Sequence, residues 1–224
     1  MQNNYTEKSD FYFTHIRHDI LNEIESFFSP KDFEAKRCLE IGCGGAITGK
    51  LIKEKYKISE YIGIEYVDEA SKLANKNIDK CYSGKAEDVL VNELKNEQFD
   101  FILYLDVLEH LYDPWGVFDL AATKLKKGGF IIASIPNASY FEFIYRIIFD
   151  KFEYNPSGGI MDSTHIRWFT KHTILDLFKK QKIKKIKGKT IVFNKWYSKL
   201  FYFVTLPIFR RFFTIQYLII AKNE

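Results

Sequence analysis

The 224-residue chain predicts an α/β fold, a mostly parallel sheet with helices on both faces, and three stretches predict it. The segment from Lys36 to Ala46 reads as strand, turn, helix. Arg37 to Ile41 is a short apolar run, 42–45 is a glycine-rich turn, and 46–55 carries Ile47, Leu51 and Ile52 at helical spacing. Glu60 to Glu65 is a second short apolar strand, and it ends in an acid. Phe101 to Leu105 is a nearly unbroken apolar run that passes straight into Asp106, as a central parallel strand does where it leaves the core. Strands alternating with helices at this spacing require crossover units rather than hairpins.

The other elements follow from period and punctuation. His15 to Phe28 has Ile16, Ile20, Ile24, Phe27 and Phe28 near helical period and stops at Ser29-Pro30, a leading helix packed on the sheet edge with Arg17 solvated. Asp68 is a helix cap for 70–77, and Cys81 to Asp88 reads as a third strand entering a loop. Asp113-Pro114 supplies a cap and a first-turn proline for a helix over 114–125. Lys126 to Gly129 then gives a basic helix end and a glycine C-cap before a fifth strand ending at Pro136. An amphipathic helix over 139–149, a loop over 150–159 and a helix from the cap Thr170 to Lys180 come next. Ile183 to Phe193 alternates as a sixth strand with Gly188 as bulge or turn, and Phe213 to Ala221 is the last strand.

A formal charge of +4 is too mild to argue for nucleic acid, and the basic excess is local, in 179–189 and at Arg210-Arg211. With 46% hydrophobic and 28% charged residues the balance is that of a globular chain, and 21 Phe with 14 Tyr leaves aromatics for a pocket as well as a core. Cys38, Cys43 and Cys81 show neither metal-ligand spacing nor a disulfide framework, so reduced thiols are expected. The first residues lack a basic region followed by an apolar stretch, and no window reaches the roughly 18 to 20 apolar residues of a spanning helix. A cytoplasmic location is expected.

The glycine turn fails the dinucleotide fingerprint, because the third glycine position holds Ile47. Its form is Glu40-x-Gly42-x-Gly44, which resembles the first motif of the class I S-adenosylmethionine-dependent methyltransferases. The resemblance implies a Rossmann-like, seven-stranded, mostly parallel sheet in the order 3-2-1-4-5-7-6 with an antiparallel last strand. It implies one domain over 1–224, an N-terminal helix over 15–29, and substrate-side insertions at about 138–170 and 194–212. It implies S-adenosyl-L-methionine as cofactor, with Glu40, Gly42 and Gly44 at its amino-acid end. Glu65 would accept the ribose hydroxyls beside Tyr66, Ala86 and Glu87 would meet the adenine, and Leu105 and Asp106 would close the site at the fourth strand. Tyr12, Phe13 and Arg17 would reach that pocket in the alternative to a solvated edge helix.

Asp106-Val-Leu-Glu-His-Leu111 is similar to the fourth motif of small-molecule methyltransferases, and Met161 to Thr170 looks like a run in those of bacterial surface-sugar, lipid or quinone pathways. This implies a methyl acceptor that is a small molecule, a glycan or lipid-linked, methylated at oxygen. Asn137, Tyr140, His165, Arg167 and Trp168 would then face the acceptor. In the competing reading the aromatics of 139–149 fill a core, His165 bonds a carbonyl and Arg167 pairs with Asp162. His110, His165 and Asp106 are the candidates to take a proton. Asp106, Glu109 and His110, with His165, resemble the Glu-x-x-Glu-His ligand set of metal-dependent methyltransferases acting on RNA 3′ ends. Aspartate is shorter than that glutamate, so metal-free transfer is expected. The aromatic stretch 196–213 has cationic flanks and suits a peripheral contact with the inner face of a membrane, a lid, or a dimer or core surface. A non-catalytic S-adenosylmethionine-binding or membrane-docking accessory protein is the alternative function; no nucleic-acid partner is expected, and the chain is a monomer or a homodimer.

Overall fold

In the computed structural model, which describes residues 8, 10–190 and 207–224, seven strands form one sheet. They are β1 (Arg37–Ile41), β2 (Glu60–Glu65), β3 (Lys80–Ser83), β4 (Phe99–Leu105), β5 (Leu125–Pro136), β6 (Lys182–Thr190) and β7 (Thr214–Lys222), in the order 3-2-1-4-5-7-6. The first five pair in parallel, and β7 runs antiparallel to both β5 and β6. The α-helices among the described residues are α1 (Asp10–Thr14), α2 (His18–Phe27), α3 (Pro30–Phe33), α4 (Ile47–Tyr56), α5 (Asp68–Ala74), α6 (Ala86–Asn92), α7 (Pro114–Ala122), α8 (Phe141–Ile148), α9 (Lys171–Leu177) and α10 (Pro207–Arg210).

Strand alternation makes two cores. Leu39, Ile41, Ile102 and Tyr104 pack with Leu90, Phe118 and Ile174 from α6, α7 and α9. Cys38, Phe101 and Leu103 pack on the opposite face with Ile24, Phe33, Ile52 and Ala74 from α2 to α5. Part of the aromatic excess is spent here: Phe33 stacks on Phe101 at 4.0 Å, and Phe28 meets both Phe101 and Phe130 edge-on.

Several boundaries differ from expectation for identifiable reasons. Residues 125–129 are not a helix end with a glycine cap; they open β5. A Cβ at Gly129 would lie 2.8 Å from the Asp100 carbonyl, so this glycine serves the close β4–β5 approach where the register shifts at Phe99/Phe101. Asp68 does not cap α5: it is the first helical residue, Val67 holds the N-cap position without a side-chain cap, and the Asp68 carboxylate accepts from Ser83 Oγ. The helix stops at Ala74 because the Asn75 side chain turns to hydrogen bond both backbone groups of Cys81. In β6 the register shifts fall at Ile183/Lys185 and Lys189/Thr190 rather than at Gly188, where a Cβ would meet Thr214 Cγ2 at 2.7 Å. Asp113 does cap α7, accepting from the Gly116 N–H at 3.0 Å, with Pro114 following. The end of the expected sixth strand, 191–193, and most of the aromatic stretch 196–213 lie outside the described residues. No helix among the described residues is long and apolar enough to cross a membrane.

Candidate active site

The carboxyl ends of β1, β2 and β4 open into a cavity of about 840 Å³, the place where ligands bind in open α/β sheets. At the tip of β1 the chain turns through Gly42 (φ +70°) and Gly44 (φ +55°), backbone that a side chain resists. A Cβ at Gly42 would also lie 2.2 Å from Val107 Cγ2, so the turn is closed against the segment after β4. Helix α4 starts at Ile47 with no side-chain cap, which leaves its first-turn N–H groups to a ligand or to water.

Two buried carboxyls flank this turn. Glu40 lies on β1 and accepts from the Tyr61 hydroxyl at 2.7 Å. Burial, with the Glu65 charge adding, pushes its pKa up to about 8. Glu65 accepts from the Gly44 N–H at 2.7 Å and the Val67 N–H at 2.9 Å, and so latches the glycine turn to the end of β2. Burial raises its pKa while those backbone bonds hold the rise down. A carboxylate has about four lone-pair sites, so acceptor capacity remains for a ligand diol.

Tyr66, Ala86, Glu87, Leu105 and Asp106 line the same cavity, so every residue expected to meet the cofactor borders one space. Asp106 leaves β4 at φ +58°, a conformation short polar side chains tolerate, and accepts from Ser134 Oγ at 2.9 Å, from Gln216 and from Arg17. Arg17 is therefore not a solvated edge residue. It is mostly buried, bridges Asp106, Asp19 and Gln216, and with Tyr12 and Phe13 forms a wall of the cavity. The Phe13 carbonyl accepts from the Gly45 N–H at 2.8 Å, which ties this segment to the glycine turn.

On the far side lie Glu109 and His110, in a 3₁₀ turn over Leu108–His110, and His165 from the loop before α9. The loop is anchored on the turn itself, since the N–H groups of Ile166 and Arg167 both donate to the Glu109 carbonyl at 3.0 Å. The Asp162 carboxylate shapes the loop by accepting from the Thr164 N–H at 2.8 Å, and Lys8 pairs with it at 2.6 Å. Burial would raise the Asp162 pKa, but the Lys8 and Thr164 hydrogen bonds bring it below the ordinary value. His165 Nδ1 lies 3.1 Å from the Ile160 carbonyl and His110 Nδ1 lies 3.1 Å from that of Thr164. A carbonyl only accepts, so each Nδ1 carries the proton and each Nε2 the lone pair. Burial, reinforced by His165, lowers the His110 pKa to about 4, burial lowers that of His165, and burial raises that of Glu109 to about 8.

The other expected acceptor contacts lie elsewhere. The Asn137 side chain is fully buried and donates to the carbonyls of Arg211 and Thr214. Tyr140 is buried at the start of α8, and Trp168 packs on Phe143 and His165. Arg167 donates to the Tyr112 carbonyl rather than pairing with Asp162. None of these four borders the cavity. Sequence reasoning missed Gln216 on β7 and Tyr112 and Ile160 on loops, which do border it.

Residues 12–183 match the sequence profile of a family described as a methyltransferase domain. A ubiquinone biosynthesis O-methyltransferase of Cereibacter sphaeroides is 26% identical over 195 residues, 80% of this chain and 73% of that protein. One from Bordetella avium is 28% identical over 119 residues, 51% of this chain, and the match spans only 48% of that protein's length. A crystal structure of an S-adenosylmethionine-dependent methyltransferase from Archaeoglobus fulgidus superposes with a TM-score of 0.66 at 19% identity, covering 95% of this chain and 97% of the other. The chain belongs to the methyltransferase-domain family, and its sheet has the Rossmann-like fold and strand order of class I methyltransferases.

Proposed function

We propose that the chain transfers a methyl group from S-adenosylmethionine to an oxygen of a small acceptor, free or carried on a glycan or lipid. The observation that carries this reading is one cavity with a glycine turn and Glu65 at one end and, at the other, buried Glu109 and His165 beside half-buried His110. The names of the ubiquinone O-methyltransferases that it resembles favour oxygen over nitrogen as the nucleophile.

When bound, the cofactor supplies a methyl group made electrophilic by its sulfonium. The chain's own residues hold and orient. Gly42 and Gly44 let backbone approach the ligand, Glu65 offers acceptor oxygens, and the segment of Tyr12 and Phe13 walls the cavity from water. An acceptor hydroxyl must lose its proton as it is methylated. His165 Nε2 carries the lone pair that would take this proton. Depressed histidine pKa values keep both rings neutral, and so able to accept, at physiological pH.

Binding is tested by titrating the chain with S-adenosylhomocysteine by calorimetry. Glu65→Ala should weaken that binding by about 1.5 to 3 kcal/mol for each charge-assisted hydrogen bond lost. Unchanged affinity in the folded variant would show that the cofactor lies elsewhere.

A further inference from the structure

Glu109 is 2% exposed, and neither of its carboxylate oxygens has a hydrogen-bond partner among the described residues. An ionised carboxylate stranded in this way is costly, and protonation does not resolve it, because a neutral carboxyl would carry an O–H with no acceptor in range. The nearest candidate, His165 Nε2, is 3.9 Å away, beyond a hydrogen bond. Something with positive charge and no chain of its own would satisfy both oxygens.

The surroundings have the chemistry of a cation site. One carboxylate oxygen of Glu109 and one nitrogen each of His110 and His165 lie within 4.8 Å of one another. Each imidazole has Nδ1–H against a backbone carbonyl, of Thr164 for His110 and of Ile160 for His165, which puts the lone pair on Nε2 and fixes the ring; on His110 that lone pair faces the Tyr12 hydroxyl at 3.4 Å, a donor that a cation would displace. That is the outer-shell arrangement that orients metal-ligating histidines. The protein also holds the parts together: the Glu109 carbonyl accepts from two N–H groups of the histidine loop, and Asp162 with Lys8 braces the loop from behind. Asp106, taken in the sequence as a fourth candidate, is engaged by Arg17, Ser134 and Gln216 and does not join.

We propose that Glu109, His110 and His165 bind one divalent transition-metal cation at the acceptor end of the cavity. Two imidazoles and one carboxylate suit Zn²⁺ or Mn²⁺, whereas Mg²⁺ prefers oxygen ligands and retained water. Three protein ligands leave coordination positions open toward the cavity. The existence of the site is independent of the methyl-transfer reading; its use in catalysis rests on that reading. In that use the acceptor oxygen coordinates the cation and releases its proton to water. The oxygen then forms the O–C bond as the C–S bond breaks, its electron pair staying on sulfur as S-adenosylhomocysteine. The expectation of metal-free transfer, with a histidine as base, is replaced under this proposal by histidines acting as ligands.

The test is calorimetric titration of the chelator-stripped chain with Zn²⁺, and separately with Mn²⁺ and Mg²⁺, beside a titration with S-adenosylhomocysteine. One Zn²⁺ per chain is expected, with Glu109→Gln and His165→Gln each weakening it by at least about tenfold while circular dichroism stays native. Absence of stoichiometric Zn²⁺ and Mn²⁺ binding, or full affinity in the folded variants, overturns the proposal; the second result would move the ion to the cysteines or other histidines. Should the variants fail to fold, substoichiometric Mn²⁺ added to the parent must broaden the imidazole resonances of His110 and His165 before those of the other histidines, and earlier loss of another histidine's signal overturns the proposal equally. S-adenosylhomocysteine binding without metal binding sinks this inference and leaves the methyltransferase reading standing; the reverse result does the opposite.

Discussion

Glu40 carries a proton that the unfolded chain would give up. Its pKa is raised from the ordinary 4.5 to about 8, first by burial and then by the charge of Glu65, with the Tyr61 hydroxyl opposing. Between those two values the native state binds more protons than the unfolded state. The favourable contribution is therefore complete below about pH 4.5, falls as pH rises toward 8, and is level above it. One group contributes a slope of at most about 1.4 kcal/mol per pH unit. Thermal melts of the ligand-free chain from pH 5 to 8.5 should show declining stability, and Glu40→Gln should remove about one proton's worth of that decline. A variant that melts with the parent's pH dependence would mean that Glu40 is ionised throughout.

At the scale of elements, the segment from α1 through Arg17 is as much a part of the site as the strand tips. Arg17 holds Asp106 after β4, Asp19 at the start of α2 and Gln216 on β7, so one planar guanidinium ties together three elements far apart in sequence. Arg17→Ala should lower stability by about 1 to 2 kcal/mol, read as a shifted urea midpoint at unchanged slope, and should weaken S-adenosylhomocysteine binding. Arg17→Lys should not rescue it, since a single ammonium cannot reproduce the fork. Parent-like unfolding and binding in Arg17→Ala would remove the bridge from the account. This bridge also marks the limit of what could be read from the sequence. The glycine turn, the acid closing β2 and the apolar strand leading to Asp106 were legible because each is local: period, turn chemistry and a polar stop lie within about ten residues. Arg17 was misread as solvated because its partners come from β4 and β7. The start of β5 was misread as a helix end because Lys-Lys-Gly-Gly is a good C-terminal signal, and only the nearby Asp100 carbonyl shows why glycine is needed there. Asn137 and Trp168 carry polar or aromatic signals that suit a substrate wall, yet backbone carbonyls and Phe143 satisfy them.

For the whole molecule, the strand order decides the chemistry. Placing β1 between β2 and β4 brings Gly42, Glu65 and Asp106 to one edge of the sheet, and anchoring the 160s loop on the turn after β4 closes the same cavity with two histidines and a glutamate. That arrangement gives a chain of 224 residues one cavity long enough for the cofactor and acceptor proposed above, without a second lobe among the described elements. The most direct test is a single-turnover assay in which the chain is incubated with S-adenosylmethionine and a panel of apolar phenols and alcohols, matched amines, and glycan- or lipid-linked hydroxyls. The account predicts S-adenosylhomocysteine formed in one-to-one ratio with an O-methylated product, and its loss in Glu65→Ala and His165→Gln. Methylation confined to the amines would contradict the oxygen assignment, and binding of S-adenosylhomocysteine with no methyl transfer to any acceptor class would contradict the enzymatic reading in favour of a binding module.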